Sequence, residues 1–316
     1  MNGNVNRREF LKDAAAFGAC AATAQGRGPS GREDLDAIQR EIDEVTPARF
    51  GAYIKAPFPL PAYTPAEGDP GCAALRRLDG AFRKVEREIR ETAVAPGGAP
   101  AVWFVYNMGI VVKTAQRLFS VDLNHRFAER LAPSLDFALI THNHFDHYTQ
   151  RFYDAMDGAS KTVVNNFACN YGAHFGKKEG GYTHGGKAFR FGDVEVKTAA
   201  SDHNGYLIDF TLAFEISVGG FRIYHTGDSA NLDKLNPADA PDLWIVHPRC
   251  GLKVADGVRK FRPKNTVIAH LNELGHARDK WRWTYTDGLR AAADAEAAGG
   301  RAVVPLWGER IALAGA

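Results

Sequence analysis

Residues 141–147 read Thr-His-Asn-His-Phe-Asp-His. His142, His144, Asp146 and His147 put four metal-ligand side chains within six residues. Imidazole and carboxylate donors together suit zinc, manganese or iron. In an extended segment, side chains two apart share a face, so His142 and His144 can serve one ion. Asp146 and His147 are adjacent and diverge, which places them better for a second ion. The competing reading is a polar surface turn, but three of the chain's 11 histidines fall in this one hexapeptide.

A loop of this kind needs a rigid element to hold it. Residues 135–140 are short, apolar and rich in branched side chains, and predict a buried strand running straight into the loop. Three more ligand-type residues sit at the carboxyl ends of predicted strands: His203 after 194–198, Asp228 after 221–225, and His270 after 266–269. Such strand ends collect active sites in layered folds. His276 competes with His270 for the last ligand position, and His270 is preferred because it follows its strand directly. Otherwise His276 is a candidate substrate contact. His225 reads as a packed residue just behind the ligands, and His247 as a pocket-lining one. Trp281, Trp283 and Tyr285 alternate beyond the last ligand, and Trp281 and Trp283 could form a lip for an apolar substrate.

The remaining strands are predicted at 102–106, 110–113, 118–122, 161–165, 210–218, 243–247, 302–306 and 310–313. A hairpin turns near Gly192-Asp193, and 210–218 pairs with 221–225 across Gly219-Gly220. Thr286 is expected to cap a helix ending near Ala298, before Gly299-Gly300. Ahead of the strands lie a helix over 33–45, ended by Pro47, and a helix over 72–94. Between them, residues 55–70 hold five prolines and are not regular structure. Many strands with few helices suggest two sheets packed face to face with helices outside.

With Asp122 at the end of a strand, then His-x-His-x-Asp-His, His203, Asp228 and His270 in that order, the chain resembles the metallo-β-lactamase superfamily from about residue 101 to 313. The resemblance implies an α/β (α+β) four-layer αβ/βα sandwich, here with an N-terminal helical extension. It implies two divalent metal ions, zinc first, with manganese or iron as alternatives. His142, His144 and His203 would bind one ion, Asp146, His147 and His270 the other, and Asp228 would bridge them. Asp122 would orient a ligand histidine from behind. Asp228 stands where many true β-lactamases carry cysteine, and so resembles glyoxalase-II, phosphodiesterase and lactonase branches. His144 is a glutamate in flavodiiron oxygen reductases, which disfavours redox chemistry. Residues 208–229 most resemble the branch containing L-ascorbate-6-phosphate lactonase and N-acyl phosphatidylethanolamine phospholipase D.

The expected activity is hydrolysis of an ester, lactone or phosphodiester-type substrate by a metal-bridging hydroxide, with Asp146 both binding metal and orienting the hydroxide. The alternatives are a β-lactamase-like amidase and a non-catalytic metal-dependent binding or sensing protein. A small-molecule or lipid-like substrate is expected. A formal charge of +2 over 316 residues gives no reason to expect a nucleic-acid partner. Hydrophobic residues make up 45% of the chain and charged residues 24%, an ordinary globular balance.

Residues 1–24 read as a twin-arginine signal peptide: Arg7-Arg8-Glu9-Phe10-Leu11-Lys12, an alanine-rich segment, then Ala22-Thr23-Ala24 as a cleavage site. That predicts export through the twin-arginine machinery to the periplasm or beyond. Cys20 offers a lipoprotein anchor as the second reading, which would put the protein on a membrane. Cys72, Cys169 and Cys250 form no metal-binding spacing and read as buried thiols. The expected organisation is signal peptide 1–24, linker and helical, proline-rich extension 25–99, and hydrolase domain 100–316.

Overall fold

A computed structural model describes residues 30–55, 68–165, 185–203 and 207–313. The twin-arginine stretch, Cys20, Cys169 and most of the proline-rich segment lie outside the described residues.

Helix α1 spans Ser30–Asp43 and turns Ile38 and Ile42 into the core. Pro47 does not simply end it, as expected. It opens a second helix, α2 (Pro47–Lys55). Proline is tolerated in a first turn, where its missing N–H has no intrahelical partner. Thr46 completes the start by accepting from Arg49 N at 3.2 Å. Helix α3 (Pro70–Glu91) starts the same way, with Asp69 accepting from Gly71 N and Cys72 N. Its expected face, Leu75, Leu78, Phe82, Val85 and Ile89, is buried, and the helix packs on the first strand.

The strands are β1 (Ala101–Tyr106), β2 (Gly109–Lys113), β3 (Leu118–Val121), β4 (Phe137–Leu139) and β5 (Thr162–Val164), then β6 (Ala188–Phe191), β7 (Val194–His203), β8 (Leu207–Val218) and β9 (Phe221–His225). β10 (Leu243–Val246), β11 (Asn265–Ile268), β12 (Ala302–Val303) and β13 (Glu309–Arg310) follow. Among the described residues they form two sheets, ordered β13-β1-β2-β3-β4-β5 and β12-β11-β10-β9-β8-β7-β6. Both expected hairpins are present, with Phe191 opposite Val194 and Val218 opposite Phe221.

Helix α4 (Gln150–Gly158) packs on β5, while α5 (Val254–Phe261) packs on α6 (Tyr285–Ala297), which covers β11 and β12. The two-sheet sandwich with outer helices is therefore as expected. Helices α4 and α5 carry no expectation from the sequence because each is short, and α5 contains Gly257, a poor helix former. That glycine sits where any Cβ would strike the Trp244 ring. The cap of α6 is Thr284 rather than Thr286. Thr284 accepts from Asp287 N and Asp287 accepts from Thr284 N, a reciprocal box.

Strand direction decides where the site falls. β1, β3 and β4 run parallel, since β2 is antiparallel to both β1 and β3. β7, β9, β10 and β11 also share one direction. The two sheets join at these carboxyl ends through His270 N to Asn107 O (2.8 Å) and Leu212 N to Thr141 O (2.8 Å).

Candidate metal centre

Each candidate ligand leaves the sandwich at that edge. The loop after β4 carries His142, His144, Asp146 and His147, β7 ends on His203, and Asp228 and His270 follow β9 and β11. His142, His144 and His203 bring ligand atoms within 4.8 Å of one another. Asp146, His147, Asp228 and His270 do the same. Asp228 lies between the two groups, with its Oδ2 at 3.4 Å from the Nε2 atoms of His147, His203 and His270 and 4.0 Å from that of His142.

The imidazoles are aimed by the groups behind them. Asp122 is buried and adopts φ 46°. Its carboxylate accepts from Thr141 N (2.8 Å), Thr141 Oγ1 (2.8 Å) and His147 Nδ1 (2.9 Å). Thr141 spends its hydroxyl proton on Asp122, so its oxygen accepts from His142 Nδ1 at 2.9 Å. These contacts hold a proton on Nδ1 of both rings and aim Nε2 into the site, the arrangement a metal needs. Asp122 thus stands behind His147, and Thr141 between Asp122 and His142.

The Nε2 atoms of His142, His147 and His203 are buried without a hydrogen-bond partner, as is Asp228 Oδ1. Leaving such atoms unpaired is costly. Asp122, Asp146 and Asp228 also crowd three carboxylates into this buried space. Burial alone would raise Asp146 and Asp228, but the imidazoles of His147 and His270 hold both carboxyls well below their usual range. Burial likewise opposes charge on His147 and His270. The Asp228 and Asp146 carboxylates overcome it, raising His147 well above its usual value and His270 to about 10. Burial and neighbouring histidines push His142 well down and His144 to about 4. The cluster thus calls for positive charge among lone-pair donors. A divalent cation supplies that charge and accepts the lone pairs, so these residues fit the implied metal ions.

The other candidates separate. His276 is not grouped with His147, Asp228 and His270. Its Nδ1 meets Glu273 Oε2 at 2.5 Å. His225 donates Nε2–H to Met108 O at 2.9 Å and accepts from Gly227 N at 3.3 Å, so it braces the turn before Asp228. His247 stacks on His270, ring centroids 3.9 Å apart, and accepts from Arg249 N. Trp281 is exposed, whereas Trp283 packs against the core with the Arg249 guanidinium over its ring. Tyr285 is buried at the start of α6.

Several contributors escaped the sequence reading. Asn107, in the β1–β2 turn, donates to Asp146 O and Oδ2 at 3.0 and 3.2 Å. Phe210 lays its ring against His142, His144 and His203. Cys250, read as an inert thiol, donates to Asp228 O at 2.8 Å. Asn107 and Cys250 are remote in sequence from the residues they serve, Phe210 from two of its three, and no local spacing marks them.

Comparison with known proteins finds similar domains and folds. Residues 113–246 match the model of the beta-lactamase superfamily domain. A "UPF0173 metal-dependent hydrolase" of Heliobacterium modesticaldum is 31% identical over 106 residues, covering 31% of this chain and 44% of that protein. Its namesake in Rubrobacter xylanophilus is 28% identical over 128 residues, covering 35% of this chain and 52% of that protein. The chain thus spans about half the length of the curated relatives it matches. Among solved structures, the metallo-beta-lactamase fold protein YhfI from Bacillus subtilis superposes with TM-score 0.53 at 14% identity, covering 67% of this chain and 99% of that one. CmlA, a diiron beta-hydroxylase from Streptomyces venezuelae, gives TM-score 0.52 at 15% identity, covering 68% and 54%. A fold shared with proteins of such different names does not by itself name a reaction. The chain has the metallo-β-lactamase fold, and its residues 113–246 match the beta-lactamase superfamily domain.

Proposed function

We propose that the protein is a metal-dependent hydrolase with a dinuclear centre, acting on an ester, lactone or phosphodiester-type substrate. The observation that carries this reading is the pair of ligand groups meeting at Asp228, lined by buried Nε2 atoms that have no other partner. The curated relatives named metal-dependent hydrolases support the reaction class.

His142, His144 and His203 would hold one ion, and Asp146, His147 and His270 the other, with Asp228 shared between them. Bound ions, zinc first, would supply Lewis acidity that makes water nucleophilic near neutral pH and polarises the attacked oxygen. The chain's own contribution is orientation. Asn107 grips Asp146 from behind, so that carboxylate can direct the attacking water. Asp122 and Thr141 keep the protons of His147 and His142 on the side away from the reaction. The aspartate at position 228 favours the lactonase and phosphodiesterase side of the superfamily over the true β-lactamases. The Arg7-Arg8 signal supports export through the twin-arginine route, which cell fractionation of an Arg7→Lys, Arg8→Lys double variant tests.

The deciding experiment is metal content per chain on protein purified without added metal, joined to turnover of a phosphodiester, a lactone, a carboxyl ester, a thioester and a chromogenic β-lactam. About two ions per chain, the number Asp228 can bridge, with turnover of the phosphodiester, the lactone or an ester bears the proposal out. No binding of zinc, manganese or iron after reconstitution overturns it, and β-lactam turnover alone moves the protein to the amidase reading.

A further inference from the structure

Glu273 and His276 stand at the mouth of the metal centre and have no part in the chemistry above. Glu273 is buried, and its carboxylate accepts from Tyr106 Oη (3.2 Å), Gly275 N (2.6 Å), His276 N (2.7 Å) and His276 Nδ1 (2.5 Å). A buried carboxylate persists only when its oxygens are satisfied, and here the result is an imidazole fixed in direction. The ligand atoms of His276, Glu273 and Asp146 lie within 4.8 Å of one another, so the fixed ring borders the centre.

Two aromatic rings flank it. Phe145 lies 5.4 Å from His276 and Trp281 5.5 Å from it, centroid to centroid. Phe145 is 58% exposed and Trp281 65%. Among the described residues the other exposed large hydrophobics are Ile208, two positions before Phe210, and the less open Leu289 on α6. Single exposed hydrophobics are ordinary, but rings joined edge to edge beside a reactive centre mark a binding surface.

The backbone beneath is held under strain. His270, Asn272 and Trp281 adopt φ 55°, 57° and 61°, the left-handed region that bulky residues avoid. Trp281 accepts that conformation while leaving its indole in solvent. Arg282 is buried and donates to the carbonyls of Glu273, Leu274 and His276 on this loop and of Ile42 and Val45 on the N-terminal extension. Gln39 of α1 donates to Asn272 Oδ1 and accepts from Tyr285 N, both at 3.0 Å. Gly275 leaves no room for a side chain, since a Cβ there would come 2.5 Å from Phe145 Cε2. The Phe145 ring therefore rests directly on the loop.

We propose that Phe145, His276 and Trp281 form the substrate-selecting wall of the centre and receive an apolar acyl arm carried by the scissile group. Glu273 and Arg282 are positioning residues that hold this wall in place. The proposal rests on the hydrolase reading and narrows its substrate class. A flexible apolar chain fits because the two exposed rings, Phe145 and Trp281, offer it apolar faces and edges. Each methylene it buries is worth up to about fourfold in binding.

The test uses the full zinc-reconstituted protein with p-nitrophenyl acetate, butyrate and octanoate, and calorimetric binding of sodium octanoate and sodium acetate. The expected result is kcat/KM rising with chain length, chiefly through KM. Phe145→Ala and Trp281→Ala each lower the octanoate-to-acetate ratio of kcat/KM about tenfold, as expected for losing a ring contact. Glu273→Gln, which keeps the shape but gives up one acceptor oxygen, produces the same KM-weighted split. Zinc content measured on each variant separates an altered wall from a lost centre. If no ester is turned over, octanoate bound in preference to acetate, and weakened by the two alanine variants, keeps the wall while the ester-hydrolase reading fails. A ratio and an octanoate affinity unmoved by either alanine variant overturn the proposal. So does an unmoved ratio with loss of co-sedimentation on phosphatidylcholine vesicles, which would make the rings a membrane contact.

Discussion

Asp228 concentrates the design in one side chain. Its Oδ2 approaches four imidazole Nε2 atoms, and its Oδ1 has no hydrogen-bond partner among the described residues. Asp228→Ala should remove metal and turnover together while leaving far-UV circular dichroism unchanged, because the surrounding sheets do not depend on it. Full activity in that variant would refute a shared ligand. Asp122 works at one remove. Asp122→Asn keeps the size of the side chain but turns one acceptor into a donor facing Thr141 or His147. Groups that orient a ligand from behind typically contribute 10–100-fold to metal affinity. A loss of about that size is expected by competition with a chromogenic chelator, and unaltered affinity would mean His147 is aimed by other contacts.

At the scale of elements, the turn after β9 shows how tightly the edge is built. Gly227 adopts φ 51°, and a Cβ there would lie 2.8 Å from Thr141 Cβ. Thr141 is the residue that holds His142 and meets Asp122. The approach of the β9 turn to the β4 loop is what lets Asp228 reach ligands supplied by the other sheet. Gly227→Ala should therefore lower the melting temperature and the zinc content together, with a stability cost of about 1–3 kcal/mol from strain and overpacking. A variant that melts normally and holds metal normally would show that the two loops can separate at no cost.

Across the whole molecule, the N-terminal extension is a working part of the domain. Beyond the Arg282 clasp, Tyr53 of α2 donates to Asp79 of α3 at 2.7 Å, and Arg126 pairs with the same carboxylate. His125 lies within this network, 3.2 Å from Tyr53 Oη, stacked on Phe82 and accepting from Phe127 N. Burial, then the adjacent Arg126 charge, holds its imidazole well below the usual range. The unfolded chain takes up this proton near pH ~6.5 while the folded chain resists it. Stability from this group is therefore complete above about pH 6.5 and lost as pH falls below it toward the depressed folded value. Metal-free protein should melt progressively earlier from pH 7 downward. His125→Asn should flatten that slope by up to about 1.4 kcal/mol per pH unit, one proton's worth. An unchanged slope would place the titration elsewhere.

The sequence by itself picked out the histidines and aspartates that the structure gathers into two groups, and most of the strands around them. Ligand histidines and aspartates directly follow apolar runs, so their type and their place at strand ends are both local properties. The hairpins at Gly192-Asp193 and Gly219-Gly220 are local for the same reason. Helix boundaries were less legible where a residue has two uses: Pro47 can stop one helix or start the next, and both Thr284 and Thr286 can cap. Only the tertiary structure decided which side chains serve the ligands from behind. Asn107 meets Asp146, Cys250 meets Asp228 and Gln39 meets Asn272 across long stretches of chain. It also separated His270 from His276, six residues apart in sequence, sending one beside Asp228 and the other to Glu273 at the mouth. That division depends on left-handed backbone at His270 and Asn272 and on Arg282 gathering carbonyls from two parts of the chain. Such contacts form only once the sheets have brought distant segments together, so no spacing in the sequence encodes them.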